Sequence, residues 1–300
     1  MANLRPALLF ALPWVLTASL AAVEPAGTHQ SQIGPLQVTT LLDTEMQLPT
    51  TLLHGIDAKQ IEAVYQGKPT VTTPAQAFLV RTQGHLVLVD TGGSTAMPGM
   101  GHIQERLAAL GVKPDSIEAV LITHYHPDHT GGLLTADGHM AFPKAVIRAA
   151  QAEDQYWMDA KTEASLPEAR RPMIAQLKAI FAPYRAAGLY RPFAPGEAPF
   201  EGVQAIPVPG HTPGSTVYAF AGATPFWAVG DIVHFGAVQF QHPEAVVGFD
   251  WNSDQAKAAR AVIWARAAKE QVVLGGAHLA FPGVGKVEPK GAAYTWVPLP

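Results

Sequence analysis

The chain has 300 residues, 48% of them hydrophobic and 15% charged, with a formal net charge of −4. That is enough apolar material for a sizeable core, and the lack of a basic excess argues against a nucleic-acid surface. No cysteine is present, which excludes disulfides, a lipidated cysteine anchor and thiolate metal sites, so a metal would have to be held by His, Asp or Glu.

Residues 1–21 begin with a single cation, Arg5, continue in an apolar run from Ala7 to about Leu20, and close on Ser19-Leu20-Ala21. Pro6, Pro13 and the shortness of the run favour a cleaved signal peptide over a membrane anchor. The expected location is the periplasm or the medium, with no membrane attachment after cleavage. Residues 22–34 are rich in Gly, Pro and polar side chains and read as a flexible lead-in, followed by a single domain over 35–300. Residues 36–43 form a β run, and 77–82 with 85–90 form a hairpin across Gln83-Gly84. Helical spacing covers 102–111 with Gly111 as the stop. A buried strand spans 117–123, a short one 144–150, and 151–190 read as helical. Strand, loop and strand follow over 203–220, and the next strand ends at Asp231. Residues 253–270 form an amphipathic helix with Ser253 as N-cap, and a final strand ends at His278. Strand groups alternate with helices in both halves, which predicts two packed sheets with helices outside.

The densest chemistry is "LITHYHPDHTGG", residues 121–132, at the end of the buried strand. In an extended loop His124 and His126 point to one side. The bend at Pro127 lets Asp128 and His129 turn elsewhere, and Gly131-Gly132 permits close backbone packing beneath. A polar turn with incidental histidines is the plain alternative. Three histidines and an aspartate directly after a buried strand argue against it. Imidazole with carboxylate suits zinc and similar divalent ions.

This stretch resembles the HxHxDH signature of the metallo-β-lactamase fold superfamily. Later pieces match in order: His211 in "PVPGHTPGS", Asp231 in "VGDIV" and His278 in "GGAHL". The resemblance runs from about Leu36 to the C-terminus and implies a four-layer αββα sandwich. It further implies that His124, His126 and His211 hold a first metal, that Asp128, His129 and His278 hold a second, and that Asp231 bridges them. The implied cofactor is two divalent ions, zinc by default, with manganese, iron and cobalt sharing the same ligand types. A metal-bridging hydroxide would be the nucleophile, with Asp128 orienting it and shuttling a proton. Asp90, in "LVDTGG", resembles a position that steadies a ligand loop through hydrogen bonds, although an aspartate that simply starts a turn reads the same way. Thr123 and Thr212 are candidates for a similar role.

The fold hosts many reactions, so substrate class must come from the site. A bridging Asp231 argues against a typical β-lactamase, and the short, nearly uncharged C-terminus differs from glutathione thioesterases. "GDIVHFGAVQFQHPEAVVGFD" and "GAHLAFPGVGKV" resemble the methyl parathion hydrolase-like subgroup, whose habit is a homodimer. That likeness implies a small ester-type substrate: a lactone, a carboxyl ester or a phosphotriester. Trp157 in "EDQYW" and His234 are expected to face the substrate, and Tyr156, Tyr190, Phe193, Phe235 and Phe281 are further aromatic candidates for pocket or core. The competing readings are a β-lactam hydrolase of the same fold and a non-catalytic exported metal-binding protein.

Overall fold

Each half of the chain lays down one six-stranded sheet in a computed structural model that describes residues 24–300 except 167, 169 and 170. The first half runs β1 (Thr28–Ile33), β2 (Leu36–Pro49), β3 (Leu53–His54), α1 (Ala58–Tyr65), β4 (Thr70–Thr82), β5 (His85–Val89), α2 (Ile103–Ala109), β6 (Ala119–Leu121), α3 (Pro127–Thr130), β7 (Val146–Arg148), α4 (Gln151–Met158), α5 (Ala160–Ser165) and α6 (Arg171–Ala186). The second half runs β8 (Val203–Pro207), β9 (Thr216–Phe220), β10 (Phe226–Ala228), α7 (Gly236–Gln239), β11 (Val246–Val247), α8 (Ser253–Glu270), β12 (Val273–Gly275), β13 (Val284–Lys290) and β14 (Ala293–Pro298). The sheet orders are β1-β2-β4-β5-β6-β7 and β14-β13-β12-β10-β9-β8, while β3 and β11 pair separately.

Alternation of side chains on the central strands builds the four layers. Val87 and Val89 of β5 face the second sheet and join Phe78, Phe220, Phe226 and Val273 in a core between the sheets. Leu86 and Leu88 face the other way and pack with Ile103 and Leu107 of α2 and Leu177 and Phe181 of α6. On the far side, Val217, Trp227 and Leu274 pack against Ile263, Trp264 and Ala267 of α8. Strands covered on both faces are apolar at successive positions, as in "HLVLV". The β4–β5 turn has Gln83 at φ 47° and Gly84 at φ 90°, the two positive values a tight hairpin of matching twist needs. The architecture is the αββα sandwich that the sequence predicts.

Several boundaries differ from expectation. The segment expected as a flexible lead-in contains β1, which pairs antiparallel with β2. Its buried positions are Thr28, Ser31 and Ile33, so mostly small polar side chains face inward and the apolar alternation is hidden. The N-cap of α8 is Asn252, whose side chain accepts from Gln255 N, not Ser253. The strand before His278 ends at Gly275 and is followed by the β13–β14 hairpin. The expected signal segment, residues 1–21, lies outside the described residues. Among the described residues no helix is long and apolar enough to cross a membrane.

Candidate metal centre

The parallel strands β5 and β6 stop side by side, and the loops beyond them interlock. Thr91 N and Oγ1 both donate to His129 O, at 2.9 Å each. A Cβ on Gly132 would meet Thr91 O at 2.0 Å, and one on Gly131 would meet Ser94 N at 2.2 Å. Only glycine permits that approach, as the sequence suggests. His126 is the extended N-cap of α3, and Pro127 starts the helix where an amide hydrogen is not needed. The helical turn aims Asp128 and His129 at a separate group with His278, while the His129 ring stays 4.1 Å from that of His124.

Two ligand groups result, and one aspartate joins them. In the first, His126 Nδ1 lies 3.0 Å from His124 Nε2 and 2.9 Å from His211 Nε2. Asp231 Oδ2 lies 3.0 Å from His211 Nε2 and 3.4 Å from His124 Nε2. In the second, Asp231 Oδ1 lies 3.1 Å from His129 Nε2 and 3.2 Å from His278 Nε2. Asp128 Oδ2 sits 3.5 Å from each of those nitrogens. Asp231 occupies a one-turn 3-10 helix after β10, where Gly230 takes φ 53°.

The far sides of the imidazoles are tied down, which fixes their protons. His278 Nδ1 donates to Pro74 O at 2.7 Å; the carbonyl can only accept, so Nε2 presents a lone pair. His129 Nδ1 lies 2.8 Å from Asp90 Oδ2, and His211 Nδ1 lies 2.9 Å from Asp250 Oδ1. In their neutral forms these three rings therefore point lone pairs inward, beside two carboxylates. His129 Nε2 and Asp231 Oδ1 are buried without a hydrogen-bond partner. A buried cluster of acceptors costs free energy unless cations or protons sit among them, so the donor set fits divalent metal.

The metal-free electrostatics carry the same signature. Burial pushes the His211 pKa down, but Asp231 and Asp250 outweigh it and raise it to about 9. Burial and then His129 lower His124 to about 4. His129 is raised well above its usual value because Asp231, Asp128 and Asp90 overcome burial. Burial favours the neutral form of Asp231, yet His129 and His278 hold it well below the usual carboxylate range.

The supporting side chains include several that sequence reasoning overlooked. Asp90 accepts from Thr123 N and Thr123 Oγ1, at 2.8 Å each, besides facing His129. Its φ of 60° lies in the left-handed region, a conformation that short polar side chains tolerate best. Asp250, the last residue of "GDIVHFGAVQFQHPEAVVGFD", has no neighbouring motif that marks it as a partner of His211. Glu153 gives no signal either, since a glutamate in the first turn of a helix ordinarily faces solvent. It is fully buried and accepts from Tyr125 N, Trp157 Nε1, Thr212 Oγ1 and Gly214 N. Burial raises its pKa, against the lowering effect of those hydrogen bonds.

Trp157 departs from its expected place in a pocket wall. It packs in the core with its indole N–H on Glu153 at 2.6 Å, and its ring stands edge-on to His126 at 6.0 Å. Satisfying the buried N–H turns the ring inward. Tyr190, Phe193 and Phe235 are likewise core residues, and Phe281 packs on His29. His234 does reach the centre. Its Nε2 lies 3.1 Å from Asp231 Oδ2, its ring stacks on His278 at 4.8 Å, and its Nδ1 is buried without a partner. His234 and His278 also line a cavity of about 380 Å³ with Tyr65, Phe240, Tyr294 and Trp296. Phe249, at 4.8 Å from His234 and 5.7 Å from His211, borders the centre. Tyr156 is half-buried and meets Trp251, which is 49% exposed, at 5.9 Å.

Comparison with known proteins agrees with this geometry. A curated hydroxyacylglutathione hydrolase of Aeromonas hydrophila is 37% identical over 81 residues, 26% of this chain and 28% of that protein. The chain thus matches about a quarter of the length of such curated relatives. The crystal structure of the hydrolase AbOPH, of the beta lactamase superfamily, is similar with a TM-score of 0.87 and 30% identity, covering 93% of this chain and 99% of that one. AidC, a dizinc quorum-quenching lactonase, shares the fold with a TM-score of 0.83 at 22% identity, over 91% of this chain and 98% of that one. The family model described as the Metallo-beta-lactamase superfamily matches residues 71–265, and with the fold and the site in place the chain belongs to that superfamily.

Proposed function

We propose that the chain is an exported binuclear-metal hydrolase acting on a small ester-type substrate, a lactone or carboxyl ester first and a phosphotriester second. The observation that carries this reading is the shared carboxylate: Oδ2 of Asp231 faces His124 and His211, and Oδ1 faces His129 and His278. His124, His126, His211 and Asp231 would hold one ion; Asp128, His129, His278 and Asp231 would hold the other. When bound, two divalent cations supply Lewis acidity toward a substrate oxygen and acidify water at near-neutral pH.

The protein's own groups do the rest. Asp128 is the half-buried carboxylate of the set, placed to orient a water and take its proton. Asp90, Asp250 and the Pro74 carbonyl keep the ligand rings aimed. Phe249, Tyr156 and Trp251 give the surroundings an aromatic character that suits an apolar acyl or aryl group. The relatives support a hydrolase, since AidC is a lactonase and the curated matches are hydroxyacylglutathione hydrolases. Export rests on the character of residues 1–21.

The test is metal analysis followed by initial rates on four substrates: N-hexanoyl-homoserine lactone, methyl parathion, a hydroxyacylglutathione thioester and a cephalosporin. The expected result is two divalent ions per chain and the highest kcat/KM on the lactone. Turnover of the cephalosporin alone, or of the thioester alone, overturns the substrate class. Absence of both metal and activity after metal addition favours a non-catalytic protein.

A further inference from the structure

Glu153 takes no part in the chemistry above, yet it joins the two loops that supply the first ligand group. Oε1 accepts from Tyr125 N at 2.9 Å and from Trp157 Nε1 at 2.6 Å. Tyr125 stands between His124 and His126, so this oxygen holds the loop that carries both. Oε2 accepts from Thr212 Oγ1 at 2.9 Å and from Gly214 N at 2.7 Å, holding the loop that follows His211. The contact is tight by construction, since a Cβ on Gly214 would meet Glu153 N at 2.2 Å. All four partners donate to the carboxylate, which requires an acceptor on every side. The second group is braced differently: His129 by Asp90 and His278 by the Pro74 carbonyl.

We propose that Glu153 is a positioning residue for the first ligand group, a buried carboxylate that sets the spacing between the His124–His126 loop and the His211 loop and so the affinity of that group for its metal. The proposal rests on the binuclear reading. A glutamine at this place would turn an amide NH2 toward Gly214 N on one side or toward Tyr125 N and Trp157 Nε1 on the other, N–H groups that cannot accept, and so would separate the loops on that side. The first group would loosen while the second, held by other partners, keeps its shape.

The test uses the full mature chain, stripped of metal and titrated with zinc and then cobalt(II) against a competing chelator. Wild-type protein should take up two equivalents; fewer than two would sink the binuclear reading itself, independently of Glu153. Glu153→Gln should weaken one equivalent by roughly 10–100-fold and leave the other unchanged. In the cobalt form the visible spectrum of the weakened equivalent should shift while that of the other is retained. Glu153→Asp, which keeps the carboxylate, should recover part of the affinity. Thr212→Val removes one of the four donors and should weaken the same equivalent by a smaller factor, which decides the matter if Glu153→Gln does not fold. Folded variants that bind both equivalents with wild-type affinity and spectra, or that weaken both equally, would overturn the proposal.

Discussion

Asp250 Oδ1 lies 2.9 Å from His211 Nδ1, and the other carboxylate oxygen accepts from Val247 N at 3.1 Å. The backbone contact fixes the carboxylate, and the carboxylate fixes both the tautomer and the direction of the imidazole. Asp250→Ala frees the ring and removes its proton acceptor. The expected outcome is a loss of about 10–100-fold in affinity for one metal equivalent, with little change in the other. Stepwise chelator titration measures it, and an unaltered first equivalent would remove Asp250 from this role.

Asp231 differs because it serves both groups. Asp231→Ala should weaken both equivalents together and abolish measurable turnover, while Asp128→Ala should leave the first group intact and reduce kcat by roughly 10²–10⁴-fold. Elemental analysis after dialysis separates the two patterns. Full metal content in Asp231→Ala would mean that its two oxygens are not shared between ions.

Metal uptake should release protons, and the sign follows from the metal-free state. His211 is raised to about 9, so at pH 7 it is protonated before an ion enters and must be neutral afterwards. His129, also raised, adds to the effect, whereas His124, near 4, adds nothing at that pH. Affinity therefore rises with pH below about 9, by about tenfold per unit for each proton released, and the His211 contribution ends above that. Calorimetry at pH 7 in two buffers of different ionisation enthalpy reads the proton count directly. A buffer-independent heat would contradict it.

How much of this was legible beforehand depends on where each signal sits. The seven ligand-type residues stand in short loops at strand ends with glycine and proline beside them, so their chemistry and order show in the sequence. The sheets were visible because β5 and β6 are buried on both faces and read as unbroken apolar runs. β1 was hidden because Thr28 and Ser31 take inward positions that apolar side chains usually hold. Glu153 and Trp157 are hard to place from sequence for one reason: a helix pattern shows which face is apolar but not that a glutamate on it is met by the Trp157 indole one turn on and by three donors from loops about 30 and 60 residues away. Asp250 gave no local signal at all, since only the fold brings it to His211.

Trp251 offers a check on substrate contact that does not depend on the metal ligands. It is 49% exposed, an unusual position for a large aromatic, and is held by an edge contact with Tyr156. Truncating it removes little buried surface, so Trp251→Ala should fold and bind two ions like the wild type. If the ring covers the acyl chain of a bound ester, its loss should raise KM by roughly two- to tenfold for long-chain lactones and leave kcat nearly unchanged. Short-chain lactones, which do not reach the ring, should be turned over as before. Plotting kcat/KM against acyl length in wild type and variant therefore gives two lines that diverge with length. Parallel lines would place the acyl group elsewhere, with the cavity beside His234 and His278 as the next region to probe by substitution at Trp296.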